Sequence, residues 1–555
     1  MSSPAYFSRL CQKLFSPDLP TPEELALRYP ARSLPAGAEV TRFAPSPTGF
    51  MHIGGVFTSL ISERLAHQSG GIFYLRIEDT DRKRETDGAA ELVVRALERY
   101  KLRTDEGMGY SGTEVGAYGP YKQSARERIY QTYLRRWLEQ GIAYPCFCTM
   151  EQLEEARTLQ EVQKMRTGYY GPWALCRKRT EDEVSALLDA NTPFVLRFKS
   201  PGVFEQKIAF EDVVRGKREL SENDQDVVLM KSDGLPTYHF AHIVDDHLMG
   251  TTLVTRSDEW LSSVPLHLQL FAAMGWQPPR YAHLSPIQKM EGTAKRKLSK
   301  RKDPEASVTY FEEQGYPSES VTEYLLNLAN SNFEDWRKAN PTLPHTEFVL
   351  SLDKVQAAGA LFDFVKLDAI SKEVVARFSA QEVFACACEW ATIYDPELLA
   401  LLQRDPAYVC QILGIERGIE GNTRKDIAKW SGIRSEISYF FDDQFSLTAD
   451  EAFTLLSDIT QDDVRAIASA FLSAYDPTDS KERWLEKVRT LSIEHGFAEN
   501  GKAFKLEPTR YKGSIAHVTK IFRVLLSGRS QTPDLHAIMQ VMGKERVLHR
   551  LALVS

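Results

Sequence analysis

With 555 residues, 43% of them apolar and 26% charged, the chain is too long for one core and ordinary for a globular protein of about two to four domains. No run approaches the roughly eighteen consecutive apolar residues of a membrane-spanning helix. The net charge of −8 neither favours nor excludes an RNA partner, because a local basic patch binds phosphate whatever the rest of the surface carries.

Residues 1–38 mix Arg9, Lys13 and Arg28 with Asp18, Glu23 and Glu24 and hold no apolar core of signal-peptide type. They read as an N-terminal extension, a loosely packed arm with one helix near 7–15. Glu-Val-Thr-Arg-Phe at 39–43 is a short strand that leads into a Pro- and Gly-rich turn. Val56, Leu60, Ile61 and Leu65 then recur at helical spacing, so a helix starts around 52–55. Residues 73–77 form a second buried strand with Glu78 at its carboxyl end. Strand, turn, helix and strand in this order predict a parallel βαβ unit, whose ligands bind at the carboxyl ends of the strands. From about 130 to 235, polar helical stretches (151–168, 181–190) alternate with strand-like pieces (194–199, 227–231), which suits an insertion beside that fold. Periodicity returns at 239–244 and in a strand at 252–255 that ends in Arg256. Beyond about 310 the pattern is mainly helical.

Three segments carry chemistry. The first is Arg42-Phe43-Ala44-Pro45-Ser46-Pro47-Thr48-Gly49-Phe50-Met51-His52-Ile53-Gly54-Gly55. Its glycines let backbone approach a ligand, and the helix that follows aims free N–H groups and a positive dipole end at it. His52, in the first turn, can donate to phosphate. The second is Leu75-Arg76-Ile77-Glu78-Asp79-Thr80-Asp81, in which Glu78 is the acid best placed to take an ammonium group. The third, Lys295-Arg296-Lys297-Leu298-Ser299-Lys300-Arg301-Lys302, puts six basic residues in eight. Its lysines can neutralise charge that builds on phosphates. Each has a bland alternative: a Gly turn with a surface histidine, a solvated acidic cap, and a solvated basic run.

Seven cysteines are an odd, sparse set and fit a reducing cytosol better than a disulfide framework. Cys386 and Cys388 sit in an apolar helical stretch and read as core packing.

Together these segments resemble the class I aminoacyl-tRNA synthetases, with their His-Ile-Gly-His-like turn and Lys-Met-Ser-Lys-Ser-like loop. The variants Arg-Phe-Ala-Pro-Ser-Pro-Thr-Gly, Leu-Arg-Ile-Glu-Asp-Thr-Asp and Lys-Leu-Ser-Lys-Arg are similar to those of the glutamyl branch. Further matches are Val213-Val214-Arg215-Gly216, Asp245-Asp246-His247, Arg256-Ser257-Asp258-Glu259-Trp260 and Tyr281-Ala282-His283.

The resemblance implies an α/β fold: a Rossmann-type parallel sheet with an inserted acceptor-stem-binding domain, followed by an all-α anticodon-binding domain. It implies an N-terminal extension over 1–38, catalytic halves over 39–130 and 236–297, and an insertion over 131–235. A stem-contact region with the basic loop would span 298–378, and the helical domain 379–555. It further implies ATP-dependent ligation of L-glutamate to tRNA(Glu) through a glutamyl-adenylate, with Mg2+, in a cytoplasmic, monomeric enzyme with no membrane partner. Arg42, Ser46, Glu78, Tyr238 and Arg256 would line a glutamate pocket. His52, Gly54, Glu259 and Lys300 would contact ATP, with His52, Lys297 and Lys300 as the catalytic groups. His242 stands where some members have asparagine, and a structural role suits it equally well.

Cys146, Cys148 and Cys176 match positions where some members bind zinc. Lys178 stands where those members supply a histidine, and Tyr170 is a poor substitute on spacing, so three buried or free thiols are the competing reading. Alternatives for the whole chain are an enzyme that also charges tRNA(Gln), a truncated glutamyl-queuosine-type enzyme, a glutaminyl enzyme and a catalytically inactive RNA-binding relative. The long helical stretch after about 378 disfavours the truncated form, and the first two motifs disfavour the glutaminyl form. Retention of His52, Glu78, Arg256 and Lys300 disfavours the inactive relative.

Overall fold

The computed structural model describes residues 4–81, 86–109, 112–418 and 423–554. It divides into two compact units, Met1–Tyr310 with Thr322–Asp363, and Phe311–Val321 with Phe364–Ser555.

The first unit opens with helices α1 (Pro4–Leu14) and α2 (Pro22–Arg28). Here the expected loose arm is corrected. Tyr6, Leu10, Cys11, Phe15, Leu25 and Tyr29 are buried, in one core with Tyr133, Leu134 and Trp137. Thr21 and Glu24 close a reciprocal cap at the start of α2, with Pro22 in the first turn. Periodicity alone hid this burial, because the apolar residues of the extension are spread over two short helices and the turn between them.

Strand β1 (Val40–Phe43) crosses through helix α3 (Ile53–Gln68) to β2 (Ile72–Leu75), and the two strands pair in parallel. Ile53 through Ala66 is buried on nearly every side, so α3 is a central helix and not an amphipathic surface one. β2 ends at Leu75, two residues short of the expected strand. Arg76 N–H still donates to the Phe43 carbonyl, and Ile77 bridges to Lys122 instead. After α4 (Ala89–Arg99), β3 (Glu106–Met108) pairs parallel to β2 and β4 (Glu114–Val115) antiparallel to β3.

Helix α5 (Glu127–Glu139) leads into β5 (Ala143–Cys146), α6 (Met150–Val162), α7 (Glu181–Asp189), β6 (Val195–Phe198), β7 (Lys207–Asp212), β8 (Gly216–Ser221) and β9 (Val228–Met230). Strands β5, β6 and β9 form their own antiparallel sheet. The β7–β8 hairpin does not join it. Asp212, at the end of β7, pairs with Tyr281 of the resumed parallel sheet, so part of the inserted segment belongs to the nucleotide fold.

That sheet resumes, after α8 (Tyr238–Leu248), with β10 (Leu253–Ser257) and, after α9 (Val264–Met274), with β11 (Arg280–Leu284), parallel to β10. Thr252 N–H donates to the Val40 carbonyl at 2.9 Å, so β10 adjoins β1. The order β3-β2-β1-β10-β11 reverses direction of growth at β1, and a cleft opens there beyond the carboxyl ends of the strands. The hairpin β12 (Gln288–Glu291) and β13 (Ala294–Lys297) delivers the basic loop to this cleft.

Among the described residues, every helix-or-strand element of the second unit is a helix. Ser379 and Glu382 cap one helix reciprocally, and Asp395 and Asp405, each followed by proline, cap the next two. Its core is built around Trp390, Leu398, Ile412, Phe471, Phe522 and Val547, against which Cys386 and Cys388 pack, as expected for core thiols. Among the described residues no helix is long and apolar enough to cross a membrane.

Candidate active site

The first and third motifs meet at the N-terminus of α3. His52 is the N-cap and not a first-turn residue. Its Nδ1 accepts the Gly54 N–H at 2.9 Å, and its carbonyl accepts the Gly55 N–H at 2.7 Å. These two amides are therefore engaged by His52 itself, and what the helix end offers a ligand is its dipole and the remaining His52 hydrogen. With Nδ1 unprotonated, the proton sits on Nε2 and points to the Leu298 carbonyl at 3.3 Å. Burial holds His52 below its ordinary range, so it is neutral at pH 7. A Cβ at Gly54 would lie 3.0 Å from His52 Nδ1, so a side chain there presses on the capping imidazole.

The basic run sorts by role. Arg296 forks onto Asp303 at 2.5 and 2.8 Å, Asp303 also accepts the Ser299 N–H, and Leu298 is buried, which clamps the loop. Lys300 donates to the Phe50 carbonyl, and Lys297 pairs with Glu259 at 2.5 Å. Arg42, His52, Gly54, Arg256, Lys297 and Lys300 thus line one cavity of about 590 Å³. Glu259 lies outside its lining and is exposed, and Ser46 is exposed on the turn.

Behind the cavity is a buried charge network. Arg76, fully buried, donates to Asp246 at 2.6 Å and to Glu78 at 3.0 Å. The Arg42 guanidinium lies 3.6 Å from Asp246. Asp245 accepts from Arg126, Tyr130 and Gln123 at 2.7–2.8 Å. Two guanidiniums hold the Asp246 carboxyl well below its usual range against the opposing effect of burial. Burial raises Glu78, and Arg76 and Arg42 oppose that rise. The carboxylate at the end of β2 is therefore poised between desolvation and two cations.

On the neighbouring strand, Arg256 is 5% exposed at the end of β10. It donates to His283 Nε2 at 2.9 Å, to the Tyr238 hydroxyl and His267 Nδ1 at 3.3 Å each, and to the Trp260 carbonyl, with the Tyr281 ring 4.7 Å away. His242 is fully buried, with Tyr281 at 3.1 Å and Asp246 at 2.9 Å, and stacks behind Tyr238. It is a partnered interior histidine that backs the cavity wall.

These imidazoles give the unit a pH dependence. Burial pushes His239, His242 and His247 down to about 4. The unfolded chain takes up these protons near pH 6.5 and the folded one only near 4, so stability is complete above about pH 6.5 and falls as pH drops through that window. Each such histidine contributes a slope of about 1.4 kcal/mol per pH unit. Burial lowers His52, His267 and His283 as well, so His67, raised by Glu63 and Asp105, opposes them as one against six. The unfolding midpoint is expected to fall steadily from pH 7 to 5, less steeply in His242→Asn; a flat midpoint contradicts the burial of neutral imidazoles.

The structure thus brings Arg42, His52, Gly54, Arg256, Lys297 and Lys300 to the lining of one cavity, places Glu78 against Arg76 and Tyr238 against Arg256 behind it, and leaves Ser46 and Glu259 outside that lining. Sequence reasoning gave no role to Arg76, Asp245, Asp246, Asp212, His267 or His283. Two adjacent acids ending the apolar run Phe240-Ala241-His242-Ile243-Val244 were a usable signal, since buried carboxylates require buried cations.

The three thiols of Cys146, Cys148 and Cys176 converge within 4.8 Å of one another. The tyrosine that meets them is Tyr169, whose hydroxyl lies 3.3 Å from both Cys146 and Cys148, whereas Tyr170 turns away to the Arg166 carbonyl. Hydrogen bonds from Cys146 and Cys148, with the Arg179 guanidinium, hold the Cys176 thiol below its ordinary range. Three converging sulfurs with a phenol facing them fit a small tetrahedral cation.

A parallel sheet with a capped helix end, a clamped basic loop and arginines on adjacent strand ends at one switch point defines the catalytic architecture of a class I synthetase. Residues 39–343 match the family described as tRNA synthetases class I (E and Q), catalytic domain, and residues 507–554 an anticodon binding domain. A glutamate–tRNA ligase of Clostridium perfringens (strain 13) is 46% identical over 96% of this chain and 97% of its own. One from Sorangium cellulosum is 44% identical over 96% and 97%. The solved glutamate tRNA ligase of Elizabethkingia meningosepticum, in complex with its amino acid, aligns at 30% identity with a TM-score of 0.73, over 93% of this chain and 99% of that one. The chain belongs to the class I tRNA synthetases of the glutamate and glutamine (E and Q) family.

Proposed function

We propose that the protein joins L-glutamate to tRNA(Glu) with ATP through a glutamyl-adenylate, releasing pyrophosphate and AMP, in the cytoplasm. The observation that carries this reading is the pairing, in one cleft, of two arginines from adjacent strand ends with a neutral N-cap histidine and two loop lysines. A substrate with two carboxylates and one ammonium suits Arg42, Arg256 and Glu78, with Tyr238 and Ser46 completing the pocket. The phosphates of ATP suit His52 Nε2–H, Lys297, Lys300 and the positive end of the α3 dipole, which the missing side chain at Gly54 lets them approach, with Glu259 beside the nucleotide and Mg2+ supplying further charge neutralisation. His52, Lys297 and Lys300 now donate to Leu298, Glu259 and Phe50, and exchange those partners for phosphate oxygens. The glutamate α-carboxylate attacks the α-phosphorus of ATP, and the terminal adenosine of the tRNA then takes the acyl group. Neither step needs a covalent enzyme intermediate, so positioning and charge stabilisation do the chemistry. The test is pyrophosphate exchange with tRNA present: glutamate supports it and glutamine does not.

Cys146, Cys148 and Cys176, with Tyr169 in the fourth direction, are proposed to hold one zinc ion. The ion would cross-link the end of β5 to the segment before α7 and take no part in the reaction. Purified protein is expected to carry about one zinc per chain and Cys148→Ala none, with a lower unfolding midpoint. Metal-free wild-type protein of undiminished stability contradicts the assignment.

A further inference from the structure

Every other buried arginine near the cleft is paired with a carboxylate, Arg42 and Arg76 with Asp246 and Arg126 with Asp245, and the half-buried Arg215 pairs with Asp258. Arg256 is the exception. All four of its acceptors are neutral, and none of the ion pairs among the described residues includes it. Leaving a guanidinium 95% buried without a counter-ion is costly, and such an arrangement keeps its whole charge available to a ligand.

The neutrality is enforced by tautomer. Asp212 Oδ2 lies 2.5 Å from His283 Nδ1, so the proton sits on Nδ1, and Nε2 is left bare to accept from Arg256. Asp212 is itself fixed by the amides of Val214, Arg215 and His283. His267 is placed similarly, by an imidazole in place of a carboxylate: its Nε2 faces His239 Nδ1 at 3.0 Å, and its Nδ1 faces Arg256. A carboxylate is thus kept one imidazole away from the arginine it orients.

We propose that His283, oriented by Asp212, is a positioning residue that aims Arg256 while leaving its charge uncompensated, and that this sets the preference for a carboxylate-bearing side chain over its amide. The inference rests on the reading of Arg256 as a substrate-binding group. A direct carboxylate partner would hold the guanidinium equally well but spend its charge, so the substrate would compete with an internal anion.

The decisive variants are His283→Glu and His283→Gln, assayed by pyrophosphate exchange with tRNA present. Glutamate KM is expected to rise about a hundredfold in His283→Glu, the scale of a lost charge-assisted hydrogen bond. The glutamate-over-glutamine preference should collapse, while kcat at saturating glutamate falls less than tenfold. In His283→Gln the side-chain oxygen replaces Nε2 as a neutral acceptor, and KM is expected to rise about fivefold or less. A wild-type KM in His283→Glu, or equal losses in both variants, overturns the proposal. If His283→Glu fails to fold, His283→Leu replaces it, with about a tenfold rise in KM; a KM equal to that of His283→Gln overturns the proposal in the same way. Arg256→Ala separates the two layers. An unchanged glutamate KM there overturns the reading of the pocket itself, whereas a large loss there with a wild-type His283→Glu overturns only the role of His283.

Discussion

Replacing Lys300 with alanine is expected to lower glutamate-dependent pyrophosphate exchange by about two orders of magnitude, with little change in the unfolding midpoint. The lysine is exposed, and its recorded partner is the Phe50 carbonyl in the turn before α3. An exposed lysine on a carbonyl contributes little to stability, so its removal is tolerated by the fold. The loop itself is held by Arg296, Asp303 and buried Leu298, which the substitution leaves untouched. What is lost is a preorganised cation at the phosphates while charge builds on the leaving pyrophosphate, and loss of one such donor costs about 2.7–4 kcal/mol of activation free energy. The effect therefore falls on kcat more than on KM. Exchange within threefold of wild type contradicts this role.

Replacing Asp246 with alanine produces the largest expected loss of stability. Asp246 is fully buried and faces Arg76, Arg42 and His242. Its removal leaves Arg76 with only Glu78 close by and Asp245 at 3.7 Å, and leaves Arg42 without its counter-ion. Breaking a buried pair by removing one partner costs about 3–5 kcal/mol, because the remaining charge keeps its desolvation penalty. Double replacement of Asp246 and Arg42 by alanine is expected to lose less than the sum of the single losses, since the second change removes a charge that the first left stranded. Denaturant unfolding of the purified variants measures both quantities. A single-variant loss below about 1 kcal/mol contradicts the network.

The parts of the fold that were legible in the sequence are those with short-range signals. The strand at 39–43, the helix after His52 and the polar helices of the insertion announce themselves through period, proline and capping residues. The site was half legible for the same reason. Arg42, His52, Glu78 and Lys300 lie in unusual local strings, and the structure brings those strings together. Asp212, His267 and His283 do not. Each is an ordinary residue in an ordinary strand or helix, and its meaning arises from an acceptor placed opposite Arg256 by a different segment. The extension was misread because burial of Tyr6 and Leu10 depends on α5, more than a hundred residues later. Tyr169 was missed in favour of its neighbour because spacing does not say which of two adjacent tyrosines turns inward.

The most direct test of the proposed activity is ATP–pyrophosphate exchange by the full chain with tRNA present, run with glutamate, with glutamine and with no amino acid. The arrangement of Arg42, Glu78 and Arg256 around one cleft predicts strong exchange with glutamate and only background exchange in the other two reactions. Equal exchange with glutamine, or none with glutamate, contradicts it.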